Sequence, residues 1–164
     1  MDRSMINTPM GYAMQVAMSQ YGLSEWTGIE HNPEVMKYFH DIGHKWVKDD
    51  ETAWCAAFVN WVLKYSGFIG TGQLNARSFL KIGRELSLEE AQSGDIVVLY
   101  RDDPSSWQGH VGFLAHYDDN QIWILGGNQG NQVNITKYSR SRLLGIRRAT
   151  EDLMQGEEDI MLNV

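Results

Sequence analysis

The chain has 164 residues, 43% of them hydrophobic, which is enough for one compact core and too little for two ordinary domains. Its net charge of −7 argues against a nucleic-acid binder, and its single cysteine, Cys55, excludes an internal disulfide and a paired-cysteine zinc site. No apolar run reaches membrane-spanning length, and the N-terminus lacks the apolar centre of a secretory signal, so the expectation is synthesis in the cytoplasm with no membrane insertion.

Thr8-Pro9 opens a first helix, with Met10, Ala13, Met14, Ala17 and Tyr21 at helical spacing before Gly22 stops it. Asn32-Pro33 opens a second, short one, with Val35, Met36 and Phe39 on its inner side and Gly43 near its end. Thr52 is placed to cap a third helix that runs to about Tyr65, before Ser66-Gly67. Its run Ala53-Trp54-Cys55-Ala56-Ala57-Phe58-Val59-Asn60-Trp61-Val62-Leu63 is apolar nearly all round, the mark of a central, buried helix. A fourth helix is expected over Asn75 to Ile82, stopped by Gly83.

After about Ser93 the spacing changes to short β-type runs bounded by glycine, aspartate and asparagine. Ile96 to Tyr100 reads as a buried strand. Val111 to Tyr117 and Ile122 to Leu125 form a hairpin across Asp118-Asp119-Asn120, and Val133 to Thr136 and Leu143 to Arg147 supply further strands. Helices first and strands afterwards predict an α+β fold, N-terminal helices packed on a C-terminal antiparallel sheet. Residues 1–150 read as one domain. The remainder, 151–164, is an acidic tail with Glu151, Asp152, Glu157, Glu158 and Asp159 and no basic residue; it reads as a frayed terminus, a closing helix or a docking segment.

The position of Cys55 at the start of the central helix suggests a nucleophile. Unpaired N–H groups and the positive end of the helix dipole favour a thiolate there, which predicts a lowered thiol pKa. His110, flanked by Gly109 and opening a strand, is the candidate base, and Asn128, following Gly126-Gly127, is the amide expected to orient the imidazole. Either a neutral imidazole takes the thiol proton or the two rest as a thiolate–imidazolium pair. The Cys55 backbone N–H is a natural donor to an oxyanion. Taken singly, each residue also has an ordinary role: a small buried side chain, a strand-edge histidine, a turn asparagine.

The blocks Asp50-Glu51-Thr52-Ala53-Trp54-Cys55-Ala56-Ala57-Phe58-Val59-Asn60-Trp61, Gly94-Asp95-Ile96-Val97-Val98, Gly109-His110-Val111-Gly112-Phe113 and Leu125-Gly126-Gly127-Asn128-Gln129 together resemble the NlpC/P60 and CHAP superfamily, and more narrowly a small, phage-associated branch of it. The resemblance runs in order from about Tyr21 to Arg148. It implies a papain-like α+β fold and cleavage of amide bonds in bacterial cell-wall peptides through a thioester, with Cys55 as nucleophile, His110 as base and acid, and Asn128 as third polar residue. No cofactor and no metal is implied. Many NlpC/P60 members carry a second histidine in the third position and an aspartate before the cysteine, where this chain has Asn128 and Trp54; Asp50 or Glu51 is a substitute for the latter or simply solvated charge.

Trp54, Arg77, Trp107 and Gln108, with Asn75 and Ser78, are expected to line a substrate groove. Arg77 is suited to a two-pronged pair with a stem-peptide carboxylate or is an ordinary surface arginine. Trp61 and Trp123 are assigned to the core, and His31, His40, His44 and His116 to surface or packing roles. The expected partners are peptidoglycan stem peptides and either a delivery apparatus or a cognate inhibitor protein, with action in the periplasm or cell wall after delivery or lysis. The other readings are a superfamily enzyme acting on a non-wall amide, and a catalytically silent wall-binding or phage structural module.

Overall fold

The computed structural model describes residues 8–26, 31–47 and 53–153. Among these residues three α-helices, α1 (Gly11–Met18), α2 (Pro33–His40) and α3 (Cys55–Ser66), precede six strands: β1 (Arg84–Leu86), β2 (Ile96–Tyr100), β3 (Gly109–Tyr117), β4 (Gln121–Gln129), β5 (Gln132–Ser139) and β6 (Leu143–Arg148). The strands form one antiparallel sheet in the order β1-β6-β2-β3-β4-β5. This is the predicted α+β arrangement.

Local chemistry accounts for most boundaries. Asn32 caps α2 by accepting from the Glu34 N–H, with Pro33 in the first turn, where its missing N–H is harmless. Gly67 ends α3 at φ +85°, and Phe68 N–H closes back on Leu63 O at 2.8 Å, the hydrogen bond of a left-handed helix stop. The cap expected from Thr52 is not the one observed: Thr52 lies outside the described residues, and the residue preceding α3 is Trp54, which gives no side-chain cap. The expected fourth helix is a 3-10 helix over Ala76–Lys81. Strand β1 was not anticipated, because Arg84-Glu85-Leu86 buries only its leucine and exists through its pairing with β6.

Helix α3 is the centre of the core, as its all-round apolar sequence predicts. Ala56, Ala57, Phe58, Val59, Val62 and Leu63 pack under α1 and α2 and against Ile96, Val98, Val111, Phe113 and Leu125 on one face of the sheet. The other face is apolar as well, with Val97, Leu99, Leu114, Ile122, Ile124 and Ile146 forming a second cluster with Leu86 and Leu88. A strand buried on both faces needs no alternation, which explains the unbroken Ile96-Val97-Val98-Leu99 run. Trp61 lies in the core as expected, its indole N–H donating to Asp41. Trp123 does not: it is half-buried, beside the His116 ring.

Two features position the functional end of the molecule. Pairing between β3 and β4 begins at Phe113 opposite Leu125, and the β4–β5 register shifts between Gly126 and Gln129, so the start of β3 and the end of β4 separate beside the N-terminus of α3. At the far end of α3, Glu151 bridges to Phe68 and Asp152 N–H donates to Gly67 O, so the first residues of the acidic segment dock on the chain. The rest of that segment lies outside the described residues. Among the described residues no helix is long and apolar enough to cross a membrane.

Candidate active site

Cys55 is the first residue of α3, and the first intrahelical hydrogen bond runs from Phe58 N–H to Trp54 O. The backbone N–H groups of Cys55 and Ala56 therefore have no partner within the helix. Both lie within hydrogen-bonding reach of the Cys55 sulfur, as does the N–H of Val111, the residue after His110 on β3. The sulfur thus lies beside the backbone of the residue that follows His110, and each of the two side chains keeps a small opening to solvent, 8% for Cys55 and 7% for His110.

The His110 ring is oriented by Gln129, not by Asn128 as the sequence suggested. His110 Nε2 lies 2.9 Å from Gln129 Oε1. Asn128, half-buried at φ +57°, is the residue at which the end of β4 turns, a left-handed conformation that asparagine tolerates. The Gln129 amide nitrogen donates to Ile124 O, Asn134 O and Asn134 Oδ1 at 3.1, 2.8 and 3.0 Å, so its oxygen must be the end that faces the imidazole. An oxygen accepts, so Nε2 carries the ring proton. Nδ1 is left with its lone pair, and among the described residues no hydrogen bond occupies it. Tyr138 on β5, which sequence reasoning missed, completes the group: its hydroxyl donates to Gln129 Oε1 at 3.0 Å and lies 3.2 Å from His110 Nε2.

Gly126 and Gly127 separate the two halves of this cluster. A Cβ at Gly126 would come within 2.9 Å of Gln129 Oε1 and 3.5 Å of His110 Nε2; one at Gly127 would come within 2.7 Å of the Trp54 ring and 2.8 Å of Phe58 Cβ. One glycine admits the imidazole network and the other admits the start of α3. The pair serves close approach on both sides.

The electrostatics differ from the sequence expectation. Burial pushes the Cys55 thiol pKa up, outweighing the three N–H groups and the Arg101 charge that pull it down. Burial likewise pushes His110 down to about 4; the Gln129 hydrogen bond opposes this, and the charges of Arg101 and Arg142 add to it. Tyr138 is raised to about 12, chiefly by burial, with the Cys55 charge contributing in the same direction. The site rests as a neutral thiol and a neutral, Nε2-protonated imidazole, and the expected lowering of the thiol pKa does not occur.

The four residues expected to bind substrate separate. Trp54 is 0% exposed, stacked on Tyr38, its indole N–H donating to Glu25 at 2.6 Å; it is a core residue. Arg77 donates Nε, Nη1 and Nη2 to the backbone oxygens of Gln108, Pro104 and Asp103, so its guanidinium braces the loop before β3 and is not held out for a carboxylate. That braced loop presents Trp107, 76% exposed, with half-buried Gln108 next to it. Ser78 is buried and bonded to Thr71 and Asn75, whereas Asn75 is exposed. Asp50 and Glu51 lie outside the described residues. His40 and His44 bond to backbone oxygens of Val47 and Gly72. Among the described residues no three His, Cys, Asp or Glu side chains are grouped to hold a metal ion. An open groove of about 600 Å³, lined by Asp41, Lys64, Phe68 and Asp152 among others, lies at the opposite end of α3 and contains none of Cys55, His110 or Gln129.

The CHAP domain family model matches residues 47–128, half of the chain, and that stretch holds both Cys55 and His110. The chain belongs to the CHAP domain family. No curated protein matches it in sequence. Among solved structures, this CHAP domain is similar to a Staphylococcus aureus Mu50 protein described as similar to lipoprotein, NLP/P60 family, with 18% identity and a TM-score of 0.50 over 92% of this chain and 43% of that one. A hypothetical invasion protein of Mycobacterium tuberculosis gives 17% and 0.54, covering 92% of this chain and 66% of its own. The chain thus spans less than two thirds of either. A third structure, from the same organism, is described as a non-catalytic NlpC/p60 domain protein adapted to peptidoglycan binding; it gives 13% and 0.51, over 87% and 98%. At these identities the likeness is one of fold, the papain-like α+β fold of the NlpC/P60 group.

Proposed function

We propose that this CHAP domain is a cysteine amidohydrolase that cuts an amide bond in the peptide part of bacterial peptidoglycan, acting as a lysin or as a delivered antibacterial toxin. The observation that carries the reading is the Gln129 amide: locked by three acceptors, it leaves Nδ1 of His110 as a free base on the strand residue next to Val111, whose N–H reaches the thiol at the start of α3. With both partners neutral at rest, Nδ1 takes the thiol proton as sulfur attacks the carbonyl carbon. The Cys55 N–H donates to the oxyanion. The C–N bond then breaks as the imidazolium returns its proton to the leaving amine. Water, deprotonated by the same nitrogen, attacks the thioester and releases a carboxylic acid and the thiol. Trp107, held out on its braced loop, offers a flat apolar surface to the substrate, with Gln108 beside it.

The cell-wall substrate is supported by the CHAP match and by the resemblance of the motif blocks. The test is release of new amino termini from purified sacculi, with mass analysis of fragments from defined muropeptides. Release should occur with wild type and be absent with Cys55→Ala at unchanged circular dichroism; equal release by both would remove the mechanism. Cleavage confined to protein or lipid amides would keep the chemistry and replace the substrate. The non-catalytic M. tuberculosis neighbour favours one other reading, a silent wall-binding module. Sacculus binding without alkylation of Cys55 or any release would select it. A delivery apparatus and a cognate inhibitor are partners that the toxin form requires.

A further inference from the structure

Tyr138 belongs to the site by geometry, yet it lies on β5, beyond the stretch matched by the family model. Its ring has two partners. The His110 ring lies 5.2 Å away, centroid to centroid, and tilted by 35°; the Arg142 guanidinium lies 5.2 Å from the Tyr138 centroid and is anchored by Nε to Tyr100 O.

The hydroxyl has a defined hydrogen-bond pattern. Gln129 Oε1 can only accept, so the Tyr138 proton points to it, and a lone pair of the Tyr138 oxygen is left facing His110 Nε2–H. Were Nε2 unprotonated, it would meet the Gln129 oxygen at 2.9 Å with lone pair against lone pair. The phenol thus adds a second acceptor for the Nε2 proton. That contact strengthens when the ring becomes imidazolium, because charge-assisted hydrogen bonds are the stronger ones.

We propose that Tyr138 is a positioning residue of this site: its hydroxyl and ring hold His110 in the Nε2–H tautomer with Nδ1 left free to act as base. The inference rests on His110 serving as base in the proposed function. The charged and titratable groups around the imidazole are Cys55 from α3, Arg101 after β2, Tyr138 from β5 and Arg142 before β6. Two substitutions should act on it in opposite senses. Tyr138→Phe removes an acceptor from the imidazolium and moves the His110 titration to lower pH. Arg142→Gln removes a nearby positive charge and moves it to higher pH.

The deciding measurement is 15N NMR of ring-labelled histidine in the full chain over a pH series, which needs no substrate. Wild type should show a protonated Nε2 and an unprotonated Nδ1, and the two variants should shift the His110 midpoint in opposite directions by at least a few tenths of a pH unit. In the muropeptide assay Tyr138→Phe should lower kcat about tenfold with KM within about twofold at an unchanged circular dichroism spectrum and denaturant midpoint, which excludes a smaller folded fraction as the cause. A wild-type Nδ1–H tautomer, or midpoints unmoved in both variants, overturns the proposal whatever the activity. Correct tautomer and shifts with no muropeptide cleavage by wild type would instead count against the proposed function and leave the positioning role standing.

Discussion

The two ends of α3 are built on opposite principles. The C-terminal end is closed: Gly67 turns left-handed, Phe68 N–H returns to Leu63 O, Ser66 bonds back to Val62 O, and the segment around Thr150 to Asp152 pairs alongside. The N-terminal end has no side-chain cap among the described residues, and the N–H groups of Cys55 and Ala56 face the sulfur. A capping serine or aspartate would stabilise such an end by about 1 kcal/mol but would also occupy the donors an oxyanion needs. The groove of about 600 Å³ lies at the closed end, while the proposed chemistry lies at the other, where Cys55 and His110 are nearly closed to solvent. For the proposed site, volume is a poorer guide than N–H groups gathered on a sulfur.

The sharpest way to break this contrast is to alter one residue at each end. Cys55→Ala should reduce peptide release by about 10⁴-fold or more, because nothing else in the cluster can form a thioester. Lys64→Ala, in the groove, should leave release within about twofold of wild type. Comparable losses at both ends would mean that the groove, too, handles substrate.

The next effect is on stability. His110 is depressed from 6.5 to about 4 by burial, so between these values the unfolded chain binds a proton that the folded chain refuses. Its contribution is complete above pH 6.5 and is lost as pH falls through 4, amounting to about 3 kcal/mol over that window. Denaturant titrations of wild type and His110→Gln at pH 7.5, 5.5 and 4 should show the wild type losing that much more than the variant. Parallel curves would mean that the imidazole is wetter than its 7% exposure implies.

Below that comes the choice between two neighbouring amides. Gln129→Leu, nearly equal in volume, removes the nearer acceptor of the Nε2 proton and strands the Asn134 acceptors, so turnover should fall about 10- to 100-fold, the equivalent of roughly 1–3 kcal/mol for an unmet buried partner. Asn128→Gly, suited to the same positive φ, should change turnover less than about twofold. The reverse order would restore the reading taken from sequence. That reading went wrong for a physical reason. Successive strand residues point to opposite faces, and which of Asn128 and Gln129 meets His110 depends on the register shift at the end of β4, which residue types do not encode. The helix boundaries were legible because Asn32-Pro33 and Ser66-Gly67 carry their own stop and start chemistry. Cys55 was legible through its place at the edge of an apolar run. Tyr138 was not, because its role depends on β5 lying against β4, with Tyr138 opposite Ile122. Trp54 was misassigned to the groove because an aromatic beside a nucleophile reads the same whether it faces solvent or, as here, stacks on Tyr38.

The smallest effect belongs to the closed end and isolates the contrast from the chemistry. Gly67 sits at φ +85° with open space where a Cβ would stand, so Gly67→Ala meets no clash and pays only the left-handed penalty of an L-residue. That penalty is about 1 kcal/mol, read as a lower denaturant midpoint at unchanged m-value. Turnover should stay at the wild-type level, since the substitution lies a full helix length from Cys55 and leaves the N–H groups at the other end untouched. A fall in turnover matching the fall in stability would mean that the two ends of α3 are coupled through its rigid, fully packed body, and that the N-terminal end owes its geometry to the closed one.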